Sequence, residues 1–272
     1  MQKIKSVDPG FRSQMYKLLI PLVIQNLLNA AVSSSDVVML NYVSQSSISA
    51  VSLAANYAQV LGSVFYGLGT GATLLCAQYY GKKDFRAIQA VQGIALRFSM
   101  AISAVFALAA FTVPQVLMRL FTNDAELISI GAGYLRIMGI TYLCWGIIEV
   151  YMSVLRSIGR VTICLALNIM TFFLNIALNA VFIFGLLGAP KLGAVGVAIA
   201  TAASRVVELV GSFVVSVFSK DVKLKLSEVL RRNKVLTGDF VRLALPALGN
   251  DVSWGVAFSM YSVILGHLGN DA

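Results

Sequence analysis

The chain has 272 residues, of which 58% are hydrophobic and only 12% are charged. Soluble domains carry about 25% charged residues, so this composition excludes an ordinary soluble enzyme and a disordered or collagen-like chain. The 21 Lys and Arg residues exceed the 12 Asp and Glu residues, which gives a net charge of +9. Because these basic residues gather in a few segments between apolar runs, we attribute the charge to membrane topology and expect no nucleic-acid partner.

The apolar runs are long enough to predict seven membrane spans. Between Lys17 and Lys82 the only charged residue is Asp36. A membrane helix needs about 20 apolar residues, so this stretch holds spans one and two, with a turn at 41–47. Spans three to seven follow at 88–117, 128–155, 161–188, 192–218 and 243–266. We therefore predict an all-α polytopic membrane protein.

Basic residues are divided unevenly between the loops. Sixteen Lys and Arg residues lie in the N-terminal segment and in the segments after spans two, four and six, whereas three lie in the other loops. Cytoplasmic loops carry an excess of basic residues, so we expect the N-terminus and the even-numbered loops to face the cytoplasm. The predicted location is the plasma membrane, which in a bacterium is the inner membrane.

The seventh span repeats the first. Residues 17–21 read KLLIP and residues 242–246 read RLALP, at a separation of 225 residues. Residues 38–44 (VMLNYVS) and 263–269 (VILGHLG) match at the same separation. The two copies are six spans apart, so the second copy crosses the membrane in the same direction as the first, as in transporters built from two parallel halves. We therefore expect this chain to be the first part of a protein of about 450 residues. A complete seven-span protein is the alternative.

This repeat predicts three parts. Residues 1–218 form an N-lobe bundle of six transmembrane helices, and residues 219–240 form a charged cytoplasmic linker. Residues 241–272 form the first transmembrane helix of a truncated C-lobe. The linker is expected to be an amphipathic helix on the membrane surface because of its spaced apolar residues, which are Leu224, Leu226, Val229 and Leu230.

Three spans each carry one stripe of polar residues. Spacings of three and four residues place each stripe on one helical face. The stripes are Asn26, Asn29, Ser33 and Asp36 on span one, Asn168, Thr171, Asn175 and Asn179 on span five, and Thr201, Arg205, Glu208 and Ser212 on span six. The alternative is that the Asn and Thr side chains only hold helices together.

Asp36 is the strongest functional candidate, since an intramembrane carboxylate costs about 2.5–3.5 kcal/mol on insertion scales. At 1.5 Å per residue, Asp36 lies about 9 Å below the outer end of its span. Asn179 and Thr201 lie about 12–14 Å below the ends of theirs by the same rise. Carboxylate, amide and hydroxyl oxygens at similar depth suit Na⁺, or a proton on the carboxylate.

Other charged residues inside the spans have structural interpretations. Arg205 and Glu208 lie three residues apart on one helix and are expected to neutralise each other. Arg97 and Glu149 are candidates for a second buried pair. Asp251, about 14 Å inside span seven, is a further intramembrane carboxylate that could be functional.

Several longer motifs follow the same order along the chain. They are DVVML at 36–40, AQYYGKKD at 77–84, NIALNAVFIFG at 175–185, LGAVGVAIAT at 192–201, PALGNDVSW at 246–254 and LGNDA at 268–272. In order and spacing the chain resembles the multidrug and toxic compound extrusion (MATE) family along its whole length. The resemblance implies half of a two-lobe parallel-repeat transporter, namely a six-helix N-lobe bundle plus a seventh span.

The resemblance implies a cation-coupled antiporter that works as a monomer in the lipid bilayer. Such proteins use inward Na⁺ or H⁺ gradients, and no other cofactor, to export organic, often cationic, small molecules by alternating access between two lobes. The residues that stand where some members bind the coupling cation, here Na⁺ or H⁺, are Asp36, Asn175, Asn179 and Thr201. Some members have aspartate in place of Asn179, so this site would carry one carboxylate. Asp251 stands where many relatives have glutamate.

The substrate cavity is expected to be lined by the polar stripes and nearby residues. The candidates are Asn29, Asn168, Tyr57 and Asp251. Three other functions stay open: a lipid-linked oligosaccharide flippase of related fold, a channel and an intramembrane enzyme. A flippase would need a strongly cationic cavity for a pyrophosphate, and a channel would need a continuous polar pore. An enzyme is not expected, because the chain has one histidine and no HExxH motif.

Overall fold

The computed structural model describes residues 9–219, 222–224, 227–231 and 233–268. Within these ranges the chain is helical, without a β-strand. The helices are α1 (Pro9–Leu40), α2 (Gln45–Gly81), α3 (Phe85–Thr112), α4 (Pro114–Arg119), α5 (Ala125–Ser157), α6 (Val161–Phe184), α7 (Gly193–Phe218), α8 (Ser227–Leu230) and α9 (Lys234–Leu268), and a 3₁₀ turn at Leu186–Gly188 follows α6. The predicted all-α fold is confirmed.

Residues at the loops set where the helices begin and end. Ser44, Asp84 and Asp124 occupy the N-cap positions of α2, α3 and α5, and each side chain accepts a hydrogen bond from a backbone amide of the first turn. These bonds satisfy amides that a helix N-terminus leaves unpaired. α6 ends at Gly185, whose φ of 71° lies in the left-handed region that favours glycine.

Six of the described helices are long and apolar enough to cross a membrane: α1, α2, α3, α5, α6 and α7. They coincide with predicted spans one to six, so the six-helix bundle is confirmed. α9 covers predicted span seven as one helix of 35 residues. Its crossing of the membrane stays a prediction.

α2 and α5 form the centre of the bundle. α2 packs against α9, α5 and α3, and α5 also packs against α3 and α7. α7 packs on α6 and α6 on α1, so α1 contacts α6 far more extensively than it contacts α2. Apolar side chains between α2, α3 and α5 are almost fully buried, among them Leu61, Ile94, Leu135 and Tyr151. The buried core is therefore centred on α2, α3 and α5, and the α1–α6–α7 layer adds further buried residues to it.

The two helices of the sequence repeat each contain a proline at the repeat separation. α1 contains Pro21 and α9 contains Pro246, which are 225 residues apart. α9 begins seven residues before residue 241, the predicted start of the second copy. α9 begins at Lys234 because the charged residues before the apolar run already form its first turns.

The described residues of the predicted linker, 219–240, include the single turn α8 (Ser227–Leu230) and the first seven residues of α9. Val222 and Leu224 are buried in the core, whereas Leu230 is 85% exposed. Leu226 lies outside the described residues. The described apolar residues are therefore divided between the core and the surface.

Arg97 of α3 holds this linker against the bundle. Its Nε donates a hydrogen bond to the Val229 carbonyl (2.8 Å), and one terminal nitrogen donates to the Arg231 carbonyl (2.7 Å). Gly93, one turn earlier, permits the close approach, since a Cβ there would lie 2.5 Å from the Glu228 carbonyl oxygen. Arg97 is thus engaged by backbone carbonyls and not by Glu149.

Candidate cation site and cavity

The polar stripes meet because α6 packs between α1 and α7. Asn179 on α6 donates from Nδ2 to Asp36 Oδ1 on α1 (2.6 Å) and to Asn175 Oδ1 (3.1 Å). Asn175 Nδ2 in turn donates to Thr201 Oγ1 on α7 (3.2 Å). Hydrogen bonds therefore join these four residues in one chain across three helices; we call them the Asp36 cluster.

The amides of this cluster are removed from solvent. Asn175 and Asn179 lie four residues apart, hence on one face of α6, and are 2% and 0% exposed. Asn179 uses Nδ2 for both of its hydrogen bonds, and its buried Oδ1 has no hydrogen-bond partner among the described residues. An unpaired buried acceptor costs about 1–3 kcal/mol. The cluster thus has an unused oxygen beside a carboxylate, as a cation site requires.

Asp36 differs from Glu149 and Glu208 because it forms no ion pair with a described residue. The ion pairs between described residues join Glu149 to Arg156, Arg205 to Glu208 and Arg231 to Glu228. Within the described parts of the chain, Asp36 takes part in none. Among the described residues, no direct ion pair therefore neutralises the negative charge of the cluster.

A cavity of about 700 Å³ opens between α1, α2, α5, α6 and α7. Asp36 and Thr201 form part of its wall, so the cluster borders the cavity directly. Asn29 and Asn168, both predicted from the stripes, also line it. Members of all three stripes therefore line one open cavity.

The other two predicted cavity residues lie elsewhere. Tyr57 on α2 faces α3, where its hydroxyl donates to the Phe106 carbonyl (2.9 Å) and its ring packs on the Phe106 ring. Asp251 is half-buried on α9 and accepts a hydrogen bond from Asn250 (3.3 Å). Neither residue lines this cavity.

α5 contributes an ion pair to the cavity wall that was not predicted from the sequence. Glu149 and Arg156 form an ion pair at 2.5 Å, and both line the cavity. Their separation of seven residues, or two helical turns, could have revealed the pair, because it places them on one face. The predicted span four ends at residue 155, before Arg156, whereas α5 continues to Ser157. Trp145 of α5 also lines the cavity.

Chemically, the Asp36 cluster combines one carboxylate, two amides and one hydroxyl. Hard oxygen ligands of this kind suit a small hard cation. A single negative charge matches one monovalent cation, or one proton on the carboxylate itself. Because the cluster borders the cavity, any charge bound there alters the electrostatics of that space.

The MatE family model matches residues 21–181, more than half of the chain. The chain belongs to the MatE family. The Bacillus subtilis uncharacterized transporter YisQ is 25% identical to this MatE protein over 268 residues, which cover 98% of this chain and 58% of the relative. The probable multidrug resistance protein NorM of Thermotoga maritima is 28% identical over 204 residues, covering 75% and 44%.

Solved structures agree with the MatE assignment at the level of the fold. A MOP superfamily transporter from Pyrococcus furiosus superposes with a TM-score of 0.79 at 22% identity, covering 90% of this chain and 54% of that one. An inward-facing multidrug resistance MATE family transporter gives 0.75 at 22% identity, with 90% and 55% covered. The chain spans about half the length of the curated relatives and solved structures that it matches.

Proposed function

We propose that this MatE chain is the N-terminal part of an antiporter that exports organic, often cationic, compounds in exchange for Na⁺ or H⁺. Relatives named as multidrug resistance proteins support export of such compounds. The transporter would have a second lobe of similar size, as the repeat implies. Its N-terminus and linker would face the cytoplasm, because the basic residues concentrate there.

The Asp36 cluster carries this proposal. A carboxylate without an ion pair among the described residues, an unpaired amide oxygen and a cavity wall occur together at one place. A bound cation would neutralise Asp36 and use the spare oxygen of Asn179. An organic cation in the cavity would be attracted to the same carboxylate.

Competition for one carboxylate would couple the two fluxes. Cation and substrate would each stabilise the conformation that binds it better, since a ligand shifts a conformational equilibrium only through its differential affinity. Loading Asp36 with Na⁺ or H⁺ would weaken the attraction for substrate and favour its release outside. Loss of that cation inside would restore the negative charge and allow new substrate to bind.

A lipid-linked oligosaccharide flippase is the second candidate, and the charge of the cavity disfavours it. The two arginines that line the cavity, Arg156 and Arg205, are each paired with a glutamate. With Asp36 included, the lining carries more acidic than basic groups. A pyrophosphate would meet a net negative surface there.

The test is efflux of a fluorescent organic cation from proteoliposomes that contain the full-length transporter. Na⁺ and H⁺ gradients are imposed separately on the wild type, on Asp36→Asn and on Asp239→Asn. Asp239 is a matched control because it is an exposed carboxylate on α9 outside the cavity. We expect one gradient to drive efflux in the wild type and the control, with a loss of at least tenfold in Asp36→Asn. Gradient-driven efflux that survives Asp36→Asn unchanged would exclude the proposed coupling site.

A further inference from the structure

A second cavity, of about 500 Å³, lies at the turn between α2 and α3 and next to the start of α9. Its wall includes Tyr79 on the last turn of α2, Arg86 on the first turn of α3, and Arg231 and Asn233 shortly before α9. Asp84 also lines it. None of these residues lines the cavity that borders the Asp36 cluster. This second cavity is therefore separate from the proposed transport pathway.

Basic groups outnumber acidic groups in this wall, and they are available to a ligand. Asp84 Oδ1 already accepts a hydrogen bond from the Ala87 amide (3.0 Å). Arg86 takes part in none of the ion pairs between described residues. Arg231 NH1 lies 3.7 Å from Glu228 Oε1, too far for a hydrogen bond, and the Arg231 side chain is 74% exposed. Two guanidinium forks are thus open to a phosphate, whose oxygens match their paired N–H donors.

The backbone that carries Arg231 is anchored next to α3. Arg97 on α3 donates to the Arg231 carbonyl (2.7 Å), and Asn233 Oδ1 accepts a hydrogen bond from the Leu236 amide (3.2 Å) on the first turn of α9. The Nδ2 group of Asn233 takes no part in that bond and is a further donor. Arg86 and Arg231, which are far apart in sequence, therefore meet at one cavity because these bonds fix the segment before α9.

The surroundings of the second cavity favour a lipid over a free phosphate. α2 and α3 are both long and apolar enough to cross a membrane, so the turn that joins them lies at the membrane surface. Tyr80 is 41% exposed and packs edge-to-face on Phe85, and aromatic rings are enriched at the depth of the lipid headgroups. Lys82 Nζ lies 5.8 Å from the centre of the Tyr79 ring, which adds a cation beside the wall.

We propose that this second cavity binds the phosphate of an anionic membrane phospholipid, with Arg86 and Arg231 as its charged ligands and Asn233 as a further donor. Its volume falls in the range of ligand pockets, about 300–1,000 Å³, and accommodates a phosphate with its attached headgroup. The proposal uses the orientation proposed above, in which this end of the bundle faces the cytoplasm, but not the export mechanism. Anionic lipids give the cytoplasmic leaflet a negative surface potential, and basic pockets between membrane helices bind their headgroups. A bound headgroup joins α3 to the segment before α9.

The experiment measures how strongly three soluble probes stabilise the purified full-length transporter in a neutral detergent. The probes are short-chain phosphatidylglycerol, which is anionic, short-chain phosphatidylcholine, which has no net charge, and inorganic phosphate. A ligand that binds the folded state raises the unfolding temperature, so the concentration at the half-maximal rise gives an apparent affinity. We expect the wild type to bind phosphatidylglycerol about tenfold more tightly than either of the other probes.

Arg86→Gln is the main variant, because Arg86 has no ion-pair partner within the described chain and its loss leaves no carboxylate unpaired. We expect it to weaken phosphatidylglycerol binding about tenfold and to leave the unfolding temperature without lipid unchanged. Arg231→Lys keeps a charge near Glu228 without the fork and should give a smaller loss. The control is Lys17→Gln with Lys223→Gln, which removes two exposed charges outside the cavity on the same predicted side and should bind like the wild type.

Three results would overturn the proposal. The first is phosphatidylglycerol affinity that stays unchanged in both Arg86→Gln and Arg231→Lys, or that falls equally in the control. The second is equal binding of phosphatidylglycerol and phosphatidylcholine by the wild type. The third is inorganic phosphate bound as tightly as phosphatidylglycerol, which would assign the cavity to a soluble phosphate compound. Gradient-driven efflux is a separate measurement, so loss of the lipid site leaves the proposed function standing, and failure of efflux leaves the lipid site standing.

Discussion

The α1–α6–α7 layer and the α2–α3–α5 core differ in how deeply their helices are buried and in the polar residues that they carry. In the most apolar stretch of α1 only 6% of residues are buried, compared with 61% in those of α2 and α5. Yet α1 carries Asp36, and the core helices α2 and α3 contribute nothing to the Asp36 cluster. Asp36 therefore lies on a helix whose most apolar stretch is covered by few of the described residues.

The difference indicates how the site can respond to its ligands. A helix with few buried contacts shifts at low cost, whereas a close-packed core resists displacement. The bond from Asn179 to Asp36 is a direct polar link between α1 and α6. A cation or proton that binds at Asp36 would alter this bond and, with it, the contact between α1 and α6.

The largest expected effect on stability comes from shortening a buried side chain in the α2–α3–α5 core. Leu135→Ala in α5 removes a side chain that is 0% exposed and should lower the free energy of unfolding by about 2–5 kcal/mol. Leu27→Ala in α1 removes the same atoms from a position that is 64% exposed and should change it by about 0.5 kcal/mol or less. Unfolding of the purified protein in detergent measures both, and equal losses would contradict the contrast between the two regions.

Glycines at the α2–α9 contact sharpen the comparison. A Cβ on Gly67 would lie 2.6 Å from the Leu248 Cα, so Gly67→Ala should destabilise the protein by about 1–3 kcal/mol through overpacking. Gly133→Ala in α5 is the control, because a Cβ there meets nothing within 4 Å. Thermal unfolding of the two variants should differ clearly. If both behave like the wild type, α9 does not pack against α2 in this register.

Asn179 tests the functional side of the comparison. Asn179→Leu removes the bond to Asp36 and the spare oxygen, and should raise the cation concentration for half-maximal efflux at least tenfold, or by about 1.4 kcal/mol. Asn179→Asp supplies a second carboxylate and should lower that concentration for Na⁺. Asn56→Leu is the control, since Asn56 on α2 donates only within its own helix. Unchanged cation dependence in Asn179→Leu would remove this residue from the site.

The linker should show the smallest effect. Arg97→Gln removes the two bonds to the Val229 and Arg231 carbonyls, so backbone hydrogen exchange across residues 227–231 should accelerate about tenfold, with little change in global stability. Arg119→Gln, an exposed arginine on α4, is the control. Exchange as slow in Arg97→Gln as in the control would mean that other contacts hold the linker.

Helix periodicity and charge predict much of this fold, because both act along one helix at a time. Asp36, Asn179 and Thr201 could be placed together because each lies on a polar stripe at similar depth. Tyr57 shows what the sequence does not predict. Its position defines the face of α2 on which it lies, but tertiary packing decides which helix that face contacts, here α3. Arg156 lies just beyond the predicted end of span four, whereas α5 extends past it to Ser157. Composition shows where the charged residues begin along the chain, but it does not show where a helix ends.

The measurement that tests the central claim most directly is cation binding to the purified full-length transporter. Uptake of radioactive sodium and release of protons are recorded on the same sample for the wild type and for Asp36→Asn. We expect the wild type to bind one more cation per transporter than the variant, either as Na⁺ or as a proton. Equal binding by the two proteins would contradict the account of Asp36 as the coupling carboxylate.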